Sequence, residues 1–353
     1  MPLLDPGTLA LVALAALLLA GALSPLETLG WWAGWYDDPV DERALDPAFG
    51  SADESDEASP ERTPEADAGT EVGRGEAGAV SPAASPWVVY LTGIQAVGPV
   101  SYADADRRLL ARLADAVPSG RVVEVFPYSV TNRALTGERT FARVWRWALR
   151  AKLDHRRLLQ VAGFLINLRN LWQVLVSADR RYGPFYSRGS AELIVRSLRR
   201  RGYPLEPGPY APRIVLVGYS GGAQVAAGAA PFVRQRTHAE VTVVSLGGVL
   251  AADPGLLAAD RVWHLYGTAD RIHRWTSWMF PGRWRLLPWS PWNVARHRGR
   301  LREVAISPCD HTGVDGYLDE QAHVRDGRSY FEVTLDVLAA IARGDDEPLP
   351  VAA

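Results

Sequence analysis

Cysteine occurs once in the 353 residues, at Cys309, which excludes an intramolecular disulfide and any metal site built from several cysteines. It leaves the cellular compartment open. Metal-ligand spacings, a phosphate loop and a dinucleotide fingerprint are missing as well, and the run Gly221-Gly222-Ala223 lacks the required pattern. Net charge is small too, at −2 overall. That balance conceals a split. Residues 37–80 carry fourteen Asp or Glu against three Arg, whereas from Ser81 onward there are 35 Lys or Arg and 24 Asp or Glu. An acidic tract is joined to a basic body. The body's charge suits anionic lipid, nucleic acid or anionic substrates without choosing among them. Nucleic acid has nothing beyond charge in its favour and is not an expected partner.

What is present begins with an apolar run. Residues 7–24 are eighteen uncharged, mostly apolar positions between Pro6 and Pro25. As a helix at about 1.5 Å per residue they span roughly 27 Å, near the thickness of a bilayer core. Trp31, Trp32, Trp35 and Tyr36 follow where an interfacial aromatic belt would lie. A cleaved signal peptide is the competing reading, with Ala20-Gly21-Ala22 resembling a cleavage site, and a buried core helix is the third. The segment before the run has no Lys or Arg and carries Asp5, which favours a single-pass membrane anchor over residues 1–36. The side of the membrane stays open. Residues 37–85 are acidic, rich in Ala, Gly, Ser and Pro, and poor in large apolar residues. They bury too little surface to offset their ordering entropy, so a solvated linker is expected.

A folded domain is expected over residues 86–345. Trp87-Val88-Val89-Tyr90-Leu91 has a buried-strand pattern, residues 103–116 have helical spacing, and residues 121–126 form a second apolar strand. Strand, helix and strand at this pitch predict a parallel βαβ unit. Far more chain than a crossover needs then precedes the next strand. Residues 138–178 carry helical periodicity with arginines interleaved in the first half, so a helical cap insertion is placed at about residues 138–188. An ordinary surface helix pair with solvated arginines explains the charges equally well. Residues 191–200 supply the crossover helix. Strands follow at residues 241–246, 261–266 and 302–306, with a closing helix at residues 330–342.

The motif that organises these elements is Gly218-Tyr219-Ser220-Gly221-Gly222, between the β-branched run Ile214-Val215-Leu216-Val217 and a small-residue run suited to helix. That context predicts a tight strand-to-helix turn, with glycines where a Cβ would collide with neighbouring backbone. Ser220 then stands at the apex, and the Gly221 amide opens a helix N-terminus able to donate to an oxyanion. Acyl transfer by serine needs a base and an acid to orient it. Groups at the carboxyl ends of parallel strands converge on one edge. Asp270 and His311 each sit just past a strand, in the order Ser, Asp, His.

At these points the chain resembles the α/β-hydrolase superfamily, lipases and esterases among them, over about residues 87–342. The resemblance implies an α/β fold with a mostly parallel central sheet and flanking helices, trimmed at its N-terminal strands. It assigns Ser220 as nucleophile, Asp270 as acid and His311 as base, with Gly221 and Ile94 as oxyanion donors. Thr92 stands where the family usually has His before Gly93. The function implied is a membrane-anchored serine hydrolase cleaving an ester or thioester of a small-molecule or lipid acyl substrate. This chemistry requires no cofactor. An acyltransferase using the same triad, or a catalytically silent membrane-tethered binding module, would share the same motifs.

Rival residues are separated by position. His264 lies inside a strand and reads as a core histidine, whereas His273 and His297 sit among arginines and read as surface. His323, twelve residues beyond His311, competes for the role of base. Asp310 adjoins His311 too closely to reach its ring, and Asp260 precedes its strand, at the wrong sheet edge. The Trp-rich residues 275–292 have three readings: an apolar wall for an acyl chain, an interfacial patch, or plain packing of an irregular excursion.

Overall fold

The computed structural model describes residues 86–96, 104–117, 121–128, 157–205 and 211–345, with isolated positions Thr8 and Ala15. The expected anchor is otherwise outside the described residues, as are the acidic linker and residues 138–156 of the expected cap. Among the described residues no helix is long and apolar enough to cross a membrane.

Six strands form one all-parallel sheet: β1 (Trp87–Leu91), β2 (Arg121–Val125), β3 (Ile214–Tyr219), β4 (Val241–Leu246), β5 (Arg261–Gly267) and β6 (Leu301–Ser307), in the order β2-β1-β3-β4-β5-β6. The helices are α1 (Asp104–Ala116), α2 (Arg157–Ala178), α3 (Gly183–Arg200), α4 (Gly222–Thr237), the one-turn α5 (Gly255–Ala258), α6 (Arg271–Met279), α7 (Pro291–His297) and α8 (Tyr330–Arg343). The chain is thus α/β, a parallel sheet flanked by helices.

The central strands are apolar throughout because both faces are covered. On β1, Val89 and Leu91 join Leu216 and Val243 under α3 and α4, where Ile194, Val225, Ala226 and Val233 meet them. Val88 and Tyr90 point the other way, with Val215, Val217 and Val244, onto Leu109 and Leu113 of α1 and Val333, Val337 and Ile341 of α8. Each such buried Val, Leu or Ile contributes about 1.5–3 kcal/mol. The small residues of α4 let it lie close on the sheet, and residues Gly222 to Ala230 are all buried. Helix starts are set by side chains: Ser290 caps α7, and Ser329 with Glu332 forms a reciprocal capping box on α8.

Helix α3 starts eight residues before the crossover helix predicted at residue 191. Gly183-Pro184 looks like a break in sequence, but Pro184 occupies the first turn, where a missing N–H costs nothing. Gly183 is fixed by close approach, since a Cβ there would lie 2.6 Å from the Ser177 carbonyl oxygen.

Candidate active site

Strand β3 occupies the middle of the sheet, and its carboxyl end delivers Ser220. The backbone there is left-handed, with φ +52°, a conformation that costs a residue with a Cβ about 1–2 kcal/mol. Neighbouring contacts hold it. Ser220 N–H donates to the Leu246 carbonyl at 2.9 Å, while the Ser220 carbonyl accepts from Ala223 and Val249. Added Cβ atoms would collide with Ala223 at Gly218 and with the Leu91 carbonyl at Gly222, so both positions require glycine. The turn is tight for the reason its composition predicts.

Strands β5 and β6 deliver the partners. His311 Nε2 lies 2.9 Å from Ser220 Oγ, and His311 Nδ1 lies 2.9 Å from Asp270 Oδ2. A carboxylate can only accept, so Nδ1 carries the proton and Nε2 is left to accept from the serine hydroxyl. Asp270 is fully buried. Its Oδ1 caps α6 by accepting from the His273 N–H at 2.9 Å, and its Oδ2 also accepts from the Tyr317 hydroxyl at 2.7 Å. Burial alone would raise the carboxyl, but His311, the His273 amide and Tyr317 together hold it below its ordinary value. The three residues predicted from sequence are therefore brought together in one hydrogen-bonded line.

The second predicted oxyanion residue also lies beside the turn. A Cβ on Gly93 would sit 3.5 Å from Ser220 Cβ, and the Ile94 side chain lies against Gly221. Helix α2 fixes this loop from above. Asn170, fully buried, donates 2.8 Å hydrogen bonds to the carbonyls of Ile94 and Ala96, and Arg169 donates to the Tyr128 carbonyl. Tyr128 donates to the Thr92 carbonyl. Val174 of the same helix packs with Phe126, Tyr128 and Val249, and Ile94 and Phe280 close that small cluster. Ile94 and its carbonyl are thus held in one orientation beside Ser220.

Several residues at the site carry no local sequence signal. Tyr317 accepts from the Gly267 N–H and donates to Asp270, and its own carbonyl is held by Thr334 of α8. The Tyr219 hydroxyl donates to the His311 carbonyl at 2.7 Å, with the two rings stacked. Tyr219 stands inside the motif, where its variable position gave no reason to single it out.

The rivals separate clearly. His323 is exposed and sits in an isolated bridge to Ser329. Asp310 accepts from the His311 backbone N–H, not its ring. Asp260 lies at the opposite sheet edge, paired with Arg234 at 2.7 Å. A hollow of about 320 Å³ beside it, lined by Arg261, Trp263, Arg300 and Arg302 among others, is likewise remote from Ser220.

His273 is not the surface residue its arginine neighbours suggest. It is part-buried, stacked on Tyr266 at 4.4 Å, with Nδ1 3.1 Å from Nε2 of the fully buried His264. Arg283 also donates to His264 Nε2, so the His264 proton sits on Nδ1 and is donated to Ser245 Oγ. Arg283 lies over the Trp292 ring at 4.1 Å. Burial and then Arg283 push His273 down to about 4, and the same two causes hold His264 well below its ordinary value. Burial lowers Arg283 itself to about 10.

Cys309 is buried, with its thiol pushed up to about 12 by burial, and is no candidate nucleophile. No group of His, Cys, Asp and Glu able to hold a metal occurs among the described residues. No protein-family model matches the chain, and no curated protein matches it.

Proposed function

We propose that the chain is a serine hydrolase of the α/β-hydrolase type that cleaves an ester or thioester acyl bond. One observation carries the reading: the line from Ser220 through His311 to Asp270, with both hydrogen bonds at 2.9 Å and the serine on a strained turn at the sheet's carboxyl edge. In the first step Ser220 Oγ bonds to the acyl carbon as its proton passes to His311 Nε2. Asp270 stabilises the imidazolium through Nδ1. The carbonyl oxygen takes the negative charge and is met by the amides of Gly221 and Ile94. Collapse expels the leaving group, which takes the proton from Nε2, and leaves an acyl ester on Ser220. Water, deprotonated by the same nitrogen, then bonds to the acyl carbon; the bond to Ser220 Oγ breaks, Oγ takes the proton back from Nε2, and the acid leaves.

The uncharged run at residues 7–24 is proposed to anchor this enzyme in a membrane, with residues 37–85 as tether. At roughly 5–6 Å times the square root of residue number, the tether reaches about 40 Å on average. Exposed Trp172 and Leu175 on α2, and Val314 in the loop that follows His311, suit an apolar acyl group.

A fluorophosphonate probe tests the chemistry. Labelling of the wild type and none of Ser220→Ala supports it; a folded wild type that takes no label makes the domain a silent binding module. Carbonate washing tests the anchor, since full-length protein should stay with the membrane pellet.

A further inference from the structure

Residues 271–289 contain four tryptophans and four arginines and no Asp or Glu. None of these four rings is buried. Trp292, just beyond, is 1% exposed over Arg283, whereas Trp278 is 70% exposed, Trp289 73% and Leu286 81%, with Trp275 and Trp284 also open to solvent. Large exposed apolar side chains grouped in this way mark an interaction surface.

The frame that displays them is ordered. The buried Asn293 donates to the carbonyls of Trp284 and Leu287 and to Ser290 Oγ, and the Trp284 ring N–H donates to the Trp278 carbonyl. Phe280 tucks into the cluster with Ile94 and Val174, which ties the segment to the loops around Ser220. The rings that face outward therefore do so from a fixed scaffold beside the site. Arg271, Arg274 and Arg285 are exposed among them and form no ion pair among the described residues.

We propose that this Trp–Arg face docks on the surface of an anionic lipid bilayer, bringing the mouth of the Ser220 site to the membrane. Charge decides the partner. Tryptophan rings seat at the headgroup level, where one side is apolar and the other wet, and guanidinium groups beside them meet anionic headgroups. A second copy of this face would set arginine against arginine. The proposal is independent of whether Ser220 turns over esters and of whether residues 7–24 anchor the chain.

The test uses the full-length chain in vesicles of phosphatidylcholine, with or without phosphatidylglycerol. Single reporters Trp278→Cys and Leu286→Cys carry an environment-sensitive fluorophore, and Gln235→Cys at the far end of α4 is the control. Cys309, buried and with its thiol pushed up to about 12, takes no label. Both front reporters should move to shorter wavelength and be quenched by a lipid-borne quencher in anionic vesicles only, while the control is unmoved. An N-terminal anchor alone would not separate them. Replacing Arg274→Gln or Arg285→Gln should lower the docked-to-undocked ratio about fivefold each. Front reporters that behave like the control overturn the proposal. So does an equal shift in neutral vesicles, a lipid-free shift that grows with protein concentration, or a shift with a DNA oligomer and none with vesicles.

Discussion

Two histidine networks flank the end of β5, and they are built with opposite electrostatics. His311 faces a carboxylate, Asp270, and a hydroxyl, Ser220; His264 and His273 face each other and the guanidinium of Arg283. An imidazole beside a buried carboxylate can take up a proton and find the resulting cation already matched. His264 and His273 are held neutral first by burial and then by the adjacent guanidinium, which together outweigh the pull of Asp270 on His273. The first arrangement can move a proton during a reaction; the second only holds chain segments together. Proximity to the site does not separate the two networks, since His273 touches Asp270 through its backbone. The group that each ring nitrogen touches does.

Mutation should break this symmetry most sharply at the reactive ring. His311→Ala is expected to lower turnover of a p-nitrophenyl ester by about 10⁴-fold or more, with His323→Ala near wild type. Steady-state kinetics on both variants checks it, and the reverse pattern would move the base to His323. Asp270→Asn should cost about 10⁴-fold while the fold survives, because the amide oxygen can keep the His273 N–H cap with the NH2 group turned towards Tyr317 and His311.

The structural ring should answer in stability instead. His264→Ala leaves a cavity against Trp292 and removes the acceptor that serves Arg283, whose Nη1 already lacks a partner. A loss of about 2–4 kcal/mol in chemical denaturation is expected, with turnover per folded molecule within about tenfold of wild type.

Acid sharpens the contrast further. His273 has its folded value lowered from 6.5 to about 4, so its neutral form supports the fold fully above pH 6.5, and that support is lost as pH falls towards 4. The loss from this ring is on the order of 3 kcal/mol, and His273→Gln should remove that share of the slope in denaturation series across the window while the share of His264 remains. Asp270 is lowered from 3.8, so its contribution is present above that value and is lost only at more acidic pH. The smallest effect is expected at Tyr317→Phe. Losing the hydrogen bond to Asp270, together with the acceptor of the Gly267 N–H, should cost about tenfold in turnover and move the acid limb of the pH profile upward.

The sequence carried the turn around Ser220 well, because its glycines answer to backbone collisions a few residues away. Asp270 and His311 were legible for a related reason: each ends an apolar strand, and parallel strand ends share an edge. Tyr317, Asn170 and the Tyr219 hydroxyl were not legible. Their partners lie 47, 74 to 76 and 92 residues away, and no local pattern encodes such a distance. His273 misled for a different cause, since its flanking arginines point to solvent while its own ring turns in towards Tyr266 and His264. Early α3 was hidden by Gly183-Pro184, because glycine also marks helix ends while proline opens first turns.

The backbone at Ser220 also bears on how this chain would change over generations. A glycine at that position would relax the left-handed turn at no steric cost and stabilise the domain by about 1 kcal/mol. Stability alone therefore favours losing the hydroxyl. A lineage released from selection for chemistry should drift to glycine there early, while Gly218 and Gly222 persist because the packing demands them. Retention of serine between those two glycines in descendants of this chain would record an activity still under selection.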